Sequence, residues 1–429
     1  MMFLDECRAS RVARGADSGE SQVNVLREWM LSRPEALFEE LREHAPTLVL
    51  GRIALVTRFS DVADVLGRND VFSVKPYGDA IMRINHGPNF LLGMDDGPEY
   101  RQQLAVLRQA FRRDDAGRIH HSVASCTAQA LAPALAEGRL DVPDDFGRLV
   151  PALFVADYFG VPGPDPATLM HWARDIFTDG FTNVLGVPLL SRRGMKAGDA
   201  FRAHLDDRLA RRKSDKAHGA VGQDDVIGRL VSLQAAGEAG LSDARIRDNL
   251  LWCVAGMIDN VDTAVCRVMD CLLGRPAVMP GAVAAAASRD TDLLRRYVLE
   301  ALRFRTATPV VTRLCLRPHT FSKGTRHEKT IPAGTLTFAG VGAAMMDGTA
   351  IEAPEEFRLD RPAGHYLHFG SGLHECLGAH IAIAHLTHMV GSLLTLAGLR
   401  RARGVTGRLR MAGPFPKTFV LEFARHTLA

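Results

Sequence analysis

Apolar positions recur at helical spacing from Val23 to His44 and then turn β-like from Thr47 to Phe59, with Gly51-Arg52 placed for a hairpin turn. Helical spacing fills most of 98–303. It is interrupted at Gly160-Pro164, at Gly186-Pro188 and at the polar, glycine-containing stretch Lys213–Gln223, which read as loops. Short β-like pieces return at Val310–Leu316, Thr335–Ala339 and Thr418–Phe423, and neither an internal repeat nor a low-complexity tract is present. The pattern predicts a mainly α chain with small β-sheets (α+β), the strands coming from both ends of the sequence. Residues 23–429 are expected to form one large domain, and 1–22 a polar, disordered segment.

Composition narrows the picture little. The 429 residues suffice for a large core, and 47% hydrophobic with 24% charged residues is ordinary for a globular protein. A net charge of +3 is too small to imply nucleic acid or an anionic membrane as partner. With no apolar run of membrane-spanning length and a polar start, a soluble, cytoplasmic protein is expected. The seven cysteines are scattered without CxxC pairs, which fits a reducing compartment better than a disulfide framework or structural zinc. Cys253, Cys266 and Cys271 fall in an apolar helical stretch and read as packing residues.

Cys376 is different, because a loop surrounds it. In Phe369-Gly370-Ser371-Gly372-Leu373-His374-Glu375-Cys376-Leu377-Gly378, glycines allow the backbone to wrap tightly ahead of an apolar helical run. A thiolate held there suits haem iron, and backbone N–H groups aimed at the sulfur would tune it. The histidines at 365, 368, 374, 380, 385 and 388 crowd the same region, but their spacing does not make a zinc pair, and surface or packing roles are expected.

The spacing of Phe369, Gly370, Gly372, His374, Cys376 and Gly378 resembles the haem-binding signature of the cytochrome P-450 superfamily. Further landmarks resemble that family in its order. Glu300-Ala301-Leu302-Arg303 matches its Glu-x-x-Arg, and Phe357 with Arg361 matches the meander that completes a buried triad. Arg313 and His374 match residues that reach haem propionates. Asp96–Phe111 resembles the helix beneath the haem, although Tyr100 and Leu104 stand where the family commonly has His and Arg. Arg101 and Arg108 lie nearby, and Arg108, Arg112 and Arg113 form either a basic face for an acidic electron donor or a solvated helix face.

The oxygen-activating helix departs furthest from the family pattern. Counted back from Arg275-Pro276, Asp259 takes the acid position, Asn260 the alcohol position, and Gly256-Met257 the small-residue pair. Aligning Ala255-Gly256 instead puts Ile258 and Asp259 there, and Thr263 is a third candidate alcohol. In every gapless register the acid–alcohol pair is altered. Asn can position water but is not a proton source at neutral pH.

The resemblance implies a P-450 fold holding haem b, with Cys376 on the iron and Phe369, Gly370, Gly378, His374, Arg313, Tyr100 and Gly256 around it. Asp259, Asn260 and Thr263 are the candidate catalytic residues. The function implied is a bacterial-type monooxygenase of small or medium-sized organic metabolites. A separate ferredoxin-type donor and its reductase would feed it, since the chain has no room for a fused reductase. A peroxide-driven peroxygenase and a non-catalytic haem partner of another enzyme are the alternatives. Substrate-facing residues are expected in Pro76–Phe90, Phe177–Val187, Thr306–Val311 and Gly413–Pro416, and on the helix face of Cys253 and Met257. Asn85, His86, Asn89, Thr178, Thr182 and Asn183 are their polar handles.

Overall fold

The computed structural model describes residues 2–14, 18–183, 186–218, 224–238 and 240–425. Two compact units are described, Met1–Pro76 with Thr308–Cys376, and Tyr77–Ala307 with Leu377–Ala429.

The first unit is built on a five-stranded sheet in the order Thr47–Leu50, Ile53–Val56, Leu336–Ala339, Val311–Cys315, Phe72–Ser73. Gly51, at φ 58°, turns the expected hairpin, whose strands pair antiparallel from Thr47↔Val56 to Leu50↔Ile53. Ile53–Val56 then runs parallel to Leu336–Ala339, a pairing no local pattern announces. Helix Phe59–Gly67 buries Val62, Val65 and Leu66 in one cluster with Phe72, Cys315, Ala339 and Met345.

The described part of the start of the chain is helical. Helix Phe3–Arg14 precedes Ser18–Ser32 and Pro34–His44, and Phe3 is fully buried against Trp29, ring centroids 5.7 Å apart. The backbone N–H groups of Phe3 and Leu4 donate to the Glu40 carboxylate at 2.7 and 2.9 Å. A carboxylate thus satisfies donors that a helix start leaves unpaired, and its charge suits the positive end of the helix dipole. The helical run Val23–His44 is two helices, the second with Pro34 in its first turn, where the missing N–H costs nothing.

The second unit is mainly helical. Its axis is Asp243–Leu273, capped by the Ser242 side chain and packed by Pro166–Phe177, Pro188–Ala217, Thr291–Phe304 and Ala379–Leu394. This axis is buried on nearly all sides, so its apolar stripe is wider than that of a surface helix. Helix Pro188–Ala217 continues through Lys213–Ala217, where the polar sequence suggested a loop; residues 219–223 lie outside the described residues. The β-like Thr418–Phe423 is shared between two strands. Phe415–Thr418 pairs with Arg410–Ala412, and Val420–Glu422 lies between Arg139–Asp141 and Arg400–Arg401.

Candidate active site

In the first unit the cysteine loop is shaped by its glycines. Gly370 and Gly372 sit at φ 71° and 72°, which L side chains rarely adopt. Gly372 is also tight: a Cβ there would lie 3.0 Å from the Leu66 carbonyl oxygen. A 3₁₀ turn over Gly372–His374 follows, and the Cys376 N–H returns to the Phe369 carbonyl at 2.9 Å, closing the loop. Cys376 is the one exposed cysteine of the seven. Gly378 precedes helix Ala379–Leu394 as its N-terminal cap residue.

Arg313 lies mid-strand opposite Thr337, 5% exposed, its Nη1 donating to the Thr312 carbonyl at 2.9 Å. His374 is half-buried two residues before the cysteine. This donor set is one accessible thiol with an imidazole and a guanidinium. It fits an iron porphyrin, whose metal takes a thiolate and whose two carboxylate arms take cationic donors.

In the second unit, Asn260 turns its amide back along its own helix, Nδ2 donating to the Gly256 carbonyl at 2.7 Å. A Cβ on Gly256 would meet open space, so this face stays unobstructed. The Thr263 hydroxyl likewise donates to the Asp259 carbonyl at 2.8 Å. The Asp259 side chain is fully buried and ion-paired: its Oδ1 accepts from Arg174 Nε at 2.8 Å and Nη2 at 2.5 Å, with Arg148 Nε 3.3 Å away. Sequence reasoning missed both arginines, which come from other elements. It also missed Asp262, although a second acid at i+3 in an apolar helix was there to be read.

Tyr100 is buried on helix Pro98–Ala110, and burial pushes its phenol up. Arg101 is committed to Asp96 at 2.7 Å. Of the proposed basic face, Arg112 pairs with Asp115 at 3.2 Å and Asp224 at 3.1 Å, while Arg108 and Arg113 are exposed. Glu300 and Arg303 are both fully buried and joined at 2.8 Å. Arg361 stitches the meander by donating to the carbonyls of Glu352, Ala353 and Glu356.

The expected polar handles each have a partner within the protein. Nδ2 of Asn85 donates to the Pro88 carbonyl, that of Asn89 to Gly93 and that of Asn183 to the Asp179 carboxylate. Thr178 and Thr182 donate to backbone carbonyls one turn back, and His86 sits 3.0 Å from Asp199. Aromatic rings remain: Phe177, Phe181 and Trp252 form a packed series, with Phe415 against Phe177. His385 is buried against Phe154, and His388 pairs with His120 at 2.9 Å. Among the described residues, no group of three or more His, Cys, Asp or Glu is arranged to hold a metal ion.

Residues 47–396 match the family model of cytochrome P450. The chain belongs to the cytochrome P450 family. Among curated relatives, this P450 is 24% identical to pulcherriminic acid synthase of Bacillus subtilis, covering 84% of this chain and 87% of that one. It is 28% identical to erythromycin C-12 hydroxylase of Saccharopolyspora erythraea, covering 76% and 77%. The crystal structure of CalO2 is similar at a TM-score of 0.76 and 22% identity, covering 92% of this chain and 96% of that one. Substrate-free CYP109E1 from Bacillus megaterium gives 0.76 and 21%, covering 92% and 99%. The P450 fold and the family's cofactor, haem with a cysteine thiolate on the iron, are therefore those of this chain, and its class is that of a monooxygenase. No described helix is long and apolar enough to cross a membrane.

Proposed function

We propose that Cys376 supplies the iron thiolate, that Arg313 and His374 hold the haem periphery, and that the enzyme uses dioxygen to oxidise a medium-sized, largely apolar metabolite. The single observation that carries this reading is the exposed Cys376 thiol at the end of a loop closed on two left-handed glycines. When bound, the haem would supply oxygen activation. The chain's own residues do the rest. The Gly256 carbonyl is occupied by Asn260, which orients that amide, and Asp259 is the titratable group nearest to it along the helix. For Asp259 to move a proton, its contact with Arg174 must loosen, because an acid that accepts from a guanidinium at 2.5 Å is a poor donor.

The relatives' names include a synthase, an epoxidase and a hydroxylase, which supports oxidation of a natural product. Electrons would come from a ferredoxin-type donor and its reductase. The buried ion pair at Asp259 and the amide at 260 favour a second reading, turnover on peroxide, which needs no complete proton relay.

Two measurements test these readings. The reduced carbonyl complex of the haem-loaded protein shows the red-shifted Soret band of a thiolate ligand, and Cys376→Ala abolishes it. Product forms with NADPH, ferredoxin and ferredoxin reductase under air. Product from peroxide alone, with none from the reductase system, would overturn the dioxygen reading.

A further inference from the structure

One turn beyond Asp259, Asp262 shares its buried side of the helix, and the side chains of both are fully buried. Their surroundings are unequal. Asp259 Oδ1 receives both Arg174 contacts and has Arg148 Nε at 3.3 Å. Asp262 Oδ2 lies 3.6 Å from Arg174 Nη2, beyond hydrogen-bond distance, and among the described residues the donor to its Oδ1 is the Cys266 thiol at 3.4 Å. Oδ2 of each acid is buried, with no hydrogen-bond donor among the described residues.

The groups around the pair come from several elements. Arg148 precedes helix Leu149–Phe154 and donates Nη2 to the Met170 carbonyl at 2.7 Å. Arg174, from Pro166–Phe177, stacks 4.4 Å over the Phe415 ring. Gly147 closes over Asp262, since a Cβ there would fall 2.2 Å from its Oδ1. Asp144 acts on Arg148, and Asp141 on Cys266, from further out.

The two carboxylates flank one guanidinium in unequal surroundings, and a proton costs least on Asp262, which lacks the donors that Asp259 has. Burial, reinforced by the charge of Asp259, accordingly holds the Asp262 carboxyl well above the usual carboxylate range.

We propose that Asp262 holds a proton beside the Asp259–Arg174 ion pair and hands it to Asp259, so that the two acids form a proton reservoir on the buried side of helix Asp243–Leu273. In the hand-off the O–H bond at Asp262 breaks and one forms at Asp259 Oδ2. Arg174 moves its contact to the newly charged Asp262, and once Asp259 has passed its proton on, Asp262 takes one up from solvent and Arg174 returns to Asp259. Asp262 is a positioning residue that acts through Asp259. Its use in turnover rests on the dioxygen reading above; its protonation in the resting protein does not.

Infrared spectroscopy of the resting, haem-loaded protein at neutral pH tests the protonation directly. The wild type shows a protonated-carboxyl band that shifts in D₂O and is absent from Asp262→Asn. In Asp259→Asn the same band is lost, because Asp262 becomes the sole carboxylate for two guanidinium groups. Should Asp262→Asn fail to fold, Asp259→Asn carries the test alone. Wild-type and variant spectra that superimpose in this region would overturn the proposal. In turnover, Asp262→Asn couples several-fold less of its NADPH to product while its substrate-induced spin-state shift is unchanged. Unaltered coupling with the band removed would overturn the hand-off. Turnover on peroxide alone, with the band present, would instead overturn the dioxygen reading and leave the protonated acid standing.

Discussion

At the level of single residues, one ion pair of this protein, Glu300 with Arg303, is buried on both sides. Glu300 and Arg303 have no exposed side-chain surface, so removing Glu300 takes a doubly hydrogen-bonded carboxylate from a guanidinium that water does not reach. Glu300→Ala is expected to cost about 3–5 kcal/mol of folding stability, read from the denaturant midpoint. A loss within the range of an exposed ion pair, under about 1 kcal/mol, would contradict the pairing seen here. This pair was legible in the sequence because i and i+3 meet on a helix whatever the fold does. The partners of Asp259 were not. Arg174 stands 85 residues away, and only packing of helix Pro166–Phe177 on the central helix brings the two together.

Among elements, the central helix carries two kinds of contact with opposite sensitivity. The turn Thr178–Thr182 lies on Trp252, where a Cβ at Gly180 would sit 2.5 Å from the indole ring. Gly180→Ala is expected to destabilise by about 1–3 kcal/mol through overpacking. Gly256 faces open space, so Gly256→Ala is expected to raise stability by about 0.5–1 kcal/mol through backbone entropy. Thermal unfolding of the two variants side by side checks both signs. Element types were largely readable, since hydrophobic spacing marked the hairpin at Gly51 and the long helices. Ends were less so. Lys213–Ala217 looks like a loop by composition yet continues a helix, and Phe3–Arg14 looks like a polar tail although Phe3 and Cys7 are buried. A few anchoring side chains outweigh average polarity.

For the whole molecule, buried histidines set the response to acid. Burial pushes the His385 imidazole down from 6.5 to about 4, and the same cause lowers His380 and His388. The folded state therefore keeps these rings neutral while the unfolded chain takes up protons. The contribution of His385 is complete above its unfolded value and is lost as pH falls through the window from 6.5 to about 4. Fully lost, it amounts to about 3 kcal/mol. Asp225, Asp248 and Asp262, raised by burial, tilt the profile the other way. The measurement is thus the stability difference between wild type and His385→Leu, expected to move against the wild type across that window; a pH-independent difference would refute it. The family was readable from a handful of spaced residues around Cys376, whereas the surroundings of Asp259 and the fate of the polar handles required three-dimensional packing. That last feature reaches beyond stability. Asn85, Asn89, Thr178, Thr182 and Asn183 each give a donor to the protein itself, and if they face the substrate, as the proposed function has it, the neighbouring Phe177, Phe181 and Trp252 rings supply the greater part of the contact. Apolar walls separate neighbours in a homologous series by only about 1–3 kcal/mol per methylene. On the proposed function, a mixture of analogues supplied to the enzyme is expected to emerge as a mixture of oxidised analogues graded by size and shape, which product analysis of a competition assay checks.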